Sequence, residues 1–171
     1  MTASSSPDPR LGVAWIAFCA ALLLHVTDEA LTGFLSVYNP TILAIRPAGW
    51  RFPLTFDFQT WLTGLLLGIA ILFALSPLVW RGVIWVRPLA FVLAVLVGIL
   101  NALAHTTGTI LGHTVLSVRF PRPMPGFYSS PFLLLASCYL LFRLRRSRTG
   151  SGRADSRNLQ AQTQTQKMNG P

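Results

Sequence analysis

Residues 11–34 read LGVAWIAFCAALLLHVTDEALTGF. Leu11 to Leu24 carries no charged side chain; His25, Asp28 and Glu29 then interrupt the run, which turns apolar again from Ala30. At 1.5 Å per residue the stretch extends about 36 Å as a helix, enough to cross a ~30 Å hydrocarbon core. Only Arg10 supplies a cation just ahead of it, and no small-residue cleavage site precedes His25. The segment therefore reads as a retained transmembrane helix rather than a cleaved leader.

The remainder of the chain agrees with a membrane setting. Of 171 residues, 52% are hydrophobic and 11% charged, with a mean hydropathy of +0.53. Soluble domains carry roughly 25% charged residues, so the polar surface a water-soluble fold requires is missing. Further apolar runs predict helices at about 58–80, 88–111 and 127–142. Between them, 38–57 mixes prolines, aromatics and arginines as an interfacial loop does, and 112–126 forms a connector stiffened by Pro121, Pro123 and Pro125. Cys19 and Cys138 lie in apolar runs and imply no disulfide framework. The expected fold is all-α: a four-helix up-and-down transmembrane bundle over 11–142. A disordered N-terminus at 1–10 and a disordered tail at 143–171, basic and then polar, flank it.

The charge is lopsided. The formal net charge is +9, and from Arg143 onward seven cations face one acid, Asp155, which leaves +6 in the tail. A basic block beside an apolar span is explained by anionic lipid without nucleic acid. With four spans, ten Lys/Arg fall on the side of the termini and four (Arg46, Arg51, Arg119, Arg122) on the other. That bias places both termini in the cytoplasm of a plasma or inner membrane.

Up-and-down topology gathers the polar residues at one level. His25, Asp28 and Glu29 lie late in helix one, Asp57 just before helix two, and Asn101 and His105 late in helix three. At 100° per residue, Asp28 and Glu29 flank His25 on one helical face, and Thr32 extends the stripe. Asn101 and His105, four apart, share a face with Gly98 and Gly108, where a neighbouring helix or ligand can approach closely. A charge in the bilayer core costs about 2.5–3.5 kcal/mol, so these carboxylates call for a metal ion, a shared proton or an imidazolium. Plainer readings stand beside this one. Asp28 and Glu29 at the water interface need only solvent; His25–Glu29 and Asn101 serve as helix ties; Asp57 serves as an N-cap. His113 falls in the connector without a role. Gly64-x-x-x-Gly68 and Gly108-x-x-x-Gly112 suit internal helix packing.

The pattern His25-Val-Thr-Asp28-Glu29, followed by Asn101-x-x-x-His105 and by Pro125-Gly126 before the last span, resembles the HXXEE family of small integral membrane proteins. The resemblance spans about 11–142, with Asp28 where the family has its first glutamate. It implies a site at these residues and no particular reaction.

Three functions fit. In the first, a membrane-embedded enzyme binds Zn²⁺ or Fe²⁺ through His25, Glu29 and His105. Asp28, Glu29 and His105 then do the chemistry on a lipid or other apolar substrate, with Asn101, Asp57 and Thr32 around it. A metal-free variant uses a histidine as acid or base. The second function is transport or ion binding through the same groups, although no internal repeat is evident. The third is a structural or accessory membrane protein. The first ranks highest because imidazoles and carboxylates converge by topology.

Overall fold

In the computed structural model, residues 8–147 are described. Asp8 opens the first helix, α1 (Pro9–Thr32), by accepting the backbone N–H groups of Arg10 and Leu11, with Pro9 in the first turn. Both devices satisfy or remove donors that a helix start leaves orphaned. Gly33, at φ +78, ends α1 in the left-handed conformation that favours glycine. The helix expected over 11–34 thus stops at Thr32, and a second one, α2 (Leu35–Ile45), follows after Gly33 and Phe34.

From Tyr38 onward α2 occupies the first part of the 38–57 stretch expected as an interfacial loop, which is a correction. Pro40 inside α2 and the aromatic surroundings concealed it. The segment is held from outside: Asn39 donates from Nδ2 to the Phe56 carbonyl (2.8 Å) and accepts the Phe56 N–H (3.1 Å).

The long apolar elements follow. α3 (Phe58–Ala74) continues almost directly into α4 (Ser76–Trp80). α5 (Val86–Val92), a π-helical stretch at Leu93–Leu100 and α6 (Asn101–Leu111) form one continuous rod. The π-helical stretch was not legible in the sequence. Such segments occur often at functional sites, and here one delivers Asn101 and His105. Three helical runs, Pro9–Thr32, Phe58–Trp80 and Val86–Leu111, are long and apolar enough to cross a membrane. The connector contains a small antiparallel pair, β1 (His113–Val115) and β2 (Val118–Arg119), in place of unbroken loop. The last helix, α7, covers 130–147 rather than 127–142. Residues 9–10 and 143–147 are therefore helical, contrary to the expected disorder. The expectations for 1–7 and 148–171 lie outside the described residues.

α1 is the central element. Trp15, Phe18, Cys19, Leu22 and Val26 are buried along it, packed with Ala90 and Ala94 of the rod and with Leu133 and Leu140 of α7. Trp15 donates from Nε1 to the Leu72 carbonyl (3.0 Å) and draws α3 onto α1 at that level. Close approach uses glycine: a Cβ on Gly98 would lie 1.9 Å from Ser137 Oγ, and one on Gly108 2.3 Å from Met124 Sδ. Gly64 and Gly68 behave otherwise. Nothing lies within 4 Å of a Cβ on either, so they border open space instead of a packed helix. Many large apolar side chains face outward, Leu67 and Ile71 among them.

Candidate metal centre

His25 and Glu29 sit one turn apart on α1, and α6 begins at Asn101, which puts His105 one turn along the same rod. Where the two helices meet, Oε1 of Glu29 lies 3.0 Å from Nε2 of His105 and 3.5 Å from Nε2 of His25. The three residues are buried, with Glu29 the most accessible at 5%. The imidazole rings meet edge to face, their centroids 4.8 Å apart. One donor atom from each residue falls within 4.8 Å of the others, so the group could hold a metal ion.

Magnitudes show why Glu29 requires these partners. A hydrogen bond to a charged group contributes about 1.5–3 kcal/mol, so the 3.0 Å approach of His105 to Glu29 offsets much of the roughly 2.5–3.5 kcal/mol of carrying a charge into a bilayer. That balance holds only if a proton or cation lies between carboxylate and imidazole. A lone buried carboxylate would cost several kcal/mol.

The donor set fits a metal in part. Zn–N and Zn–O bonds of about 2.0–2.2 Å place neighbouring tetrahedral ligands roughly 3.3–3.5 Å apart; Glu29 lies 3.0 and 3.5 Å from the two imidazoles, while the donor atoms as a group spread to 4.8 Å, so an ion would draw them closer together. Nδ1 of His105 is buried and has no hydrogen-bond partner. It faces Gly126, where a Cβ would stand 3.0 Å from Nδ1 and 2.8 Å from both His105 Cε1 and Glu29 Cγ. Gly126 also has φ +83, so steric room and backbone conformation both select glycine there. The Phe34 ring, 5.6 Å from His105 and 5.9 Å from Trp61, forms an aromatic wall on another side.

A group that sequence reasoning missed supports the cluster. Ser129, buried near the start of α7, donates from both its backbone N–H (2.9 Å) and its hydroxyl (2.8 Å) to Oδ2 of Asp28. With the hydroxyl proton directed at Asp28, Ser129 Oγ accepts from Nδ1–H of His25 at 2.9 Å. The chain of bonds thereby fixes the His25 tautomer and aims the Nε2 lone pair at the cluster. Asn101 Nδ2 donates to that lone pair at 2.9 Å, so an ion bound at His25 would take the place of the Asn101 amide. The only sequence signal for Ser129 was its place just after Pro125-Gly126 at a helix start.

Asp28 therefore turns from the other three and reaches its carboxylate to Ser129. Thr32 lies outside the donor group as well. Its hydroxyl donates to the Asp28 carbonyl and accepts the Gly126 N–H at 3.1 Å, and Thr109 accepts the Met124 N–H at 3.0 Å. These bonds strap residues 124–130 across the end of the cluster. Asp57 stands apart and exposed, N-capping α3 through the Thr60 N–H (2.9 Å). The bonds from Thr60 hold its carboxyl below the ordinary value. His113 is in β1 and is not part of the His25, Glu29 and His105 group. No family model, curated protein or solved structure matches the chain.

Proposed function

We propose that this chain is an integral membrane protein that crosses the bilayer four times and binds a divalent metal, Zn²⁺ or Fe²⁺, through His25, Glu29 and His105. The observation that carries the reading is the position of one Glu29 oxygen between two Nε2 atoms from separate helices, all buried. Both termini face the cytoplasm by the arginine bias, and the cluster lies toward the opposite side. The HXXEE resemblance belongs to this proposal. What supports it is that its three elements converge: Glu29, His105 and the Gly126 backbone are in contact distance.

Three protein ligands leave a coordination position for water or substrate, and a metal so held supplies a Lewis acid or an activated water. The favoured activity is metal-dependent chemistry on a lipid or other apolar substrate. Asn101, whose amide an ion at His25 Nε2 would displace, stays beside the cluster to orient a polar group. Transport fits less well. Among the described residues no acid or histidine lies between Asp8 and His25 or between Phe58 and Ala104, so no relay of such groups continues along these helices.

Elemental analysis of the purified protein, alongside His25→Ala and Glu29→Gln, tests the proposal. One ion per chain in the wild type, lost in both variants with helicity retained, is the expected result. Folded protein without metal in any form would instead favour an imidazolium–carboxylate tie between helices.

A further inference from the structure

α3 is drawn to its neighbours at two levels, and between them it packs through Ile69 while Gly64 and Gly68 leave a gap beside it. At the inner level Trp15 donates to the Leu72 carbonyl; at the outer level the Trp61 ring meets Phe34. Between these ties runs an apolar groove of about 240 Å³, bordered by Leu22 and Val26 of α1 and Leu93 and Val97 of the π-helical stretch. Gly64 and Gly68 form its α3 side, and their missing side chains leave it open.

The groove is aligned with the metal centre. Glu29 follows Val26 by three residues and Leu22 by seven, on the same face of α1. Asn101 follows Val97 by four, and Trp61 precedes Gly64 by three. Each wall therefore reaches the level of the cluster within about one helical turn. From Gly64 to Leu72 the groove extends roughly 12 Å along α3, most of the ~15 Å hydrocarbon depth of one leaflet.

We propose that this groove binds a single hydrocarbon chain of a membrane amphiphile and delivers its polar head to the cluster. The inference rests on the metal-centre reading and names its substrate class. One chain fits because Gly64 and Gly68, four residues apart, open one file along the helix. The head carries an oxygen, an ester or a hydroxyl, able to take the coordination position that three protein ligands leave open.

The test uses full-length protein in phosphatidylcholine nanodiscs with a monopalmitoylglycerol bearing a mid-chain diazirine. Saturable photolabelling of the groove residues, competed by unlabelled monopalmitoylglycerol, is expected in the wild type. Gly68→Leu should reduce it clearly, since the added side chain fills the space the hydrocarbon chain would occupy; metal content should be unchanged. Gly64→Leu, at the other open position, should act alike. Glu29→Gln should lose metal and keep groove labelling, which separates failure of the metal reading from failure of this one. Equal labelling of wild type and both leucine variants, or labelling that competition does not reduce, would overturn the inference.

Discussion

Oδ2 of Asp28 accepts both the backbone N–H and the hydroxyl of Ser129, at 2.9 and 2.8 Å. The bond joins the end of α1 to the start of α7 and sets the proton on the His25 ring. Adjacent carboxylates at Asp28 and Glu29 thus have different duties: one orients a histidine, and the other stands between two.

Ser129→Ala should weaken metal binding, because removing the partner of a ligand histidine typically costs 10–100-fold, as an order of magnitude. A competitive zinc titration measures it. Circular dichroism should stay near wild type, and unchanged affinity would show that His25 needs no support at Nδ1.

Gly126→Ala should lower the unfolding free energy by about 1–3 kcal/mol, the usual penalty for a non-glycine residue held in an unfavourable conformation, and should disturb metal binding. The added Cβ would press on Glu29 and His105. Gly64→Ala, where nothing lies within 4 Å, serves as the contrast in the same denaturation series and should be near neutral.

Asp57 yields a pH signature. Bonds from Thr60 hold its carboxyl below the ordinary 3.8, so the folded protein favours the ionised form. That contribution is present above the unfolded value and is lost as pH falls through the lowered folded one. Between pH 5 and the acid limit, thermal melts of Asp57→Asn should decline less than those of the wild type, with metal content untouched. Identical pH profiles would contradict the capping role.

Orientation is testable by cysteine accessibility. In a Cys19→Ala, Cys138→Ala background, Arg51→Cys should react with a membrane-impermeant maleimide from outside intact cells. Arg81→Cys should react only after lysis. The reverse pattern would invert the topology.

The long apolar helices and the three clustered residues were legible because each depends on short-range pattern: hydrophobic runs, and polar groups three or four residues apart. His25, Glu29 and His105 stood out because few other acids or histidines occur. What escaped depends on long-range contacts. α2 is stabilised by Asn39 against Phe56, across a loop, and runs through Pro40, which local propensity reads as a break. Ser129 looked ordinary, since its role comes from α1. The glycine pair Gly64 and Gly68 matched a packing motif, but packing needs a partner, and nothing lies within 4 Å of a Cβ at either position.

X-ray absorption at the zinc edge of metal-loaded wild-type protein probes the convergence of the two imidazoles and the carboxylate most directly. A first shell of nitrogen and oxygen at about 2.0–2.1 Å, with multiple scattering from two imidazoles that falls to one in His105→Ala, is the predicted outcome. Zinc bound through sulfur, a spectrum that His105→Ala leaves unaltered, or folded protein that retains no zinc would contradict it.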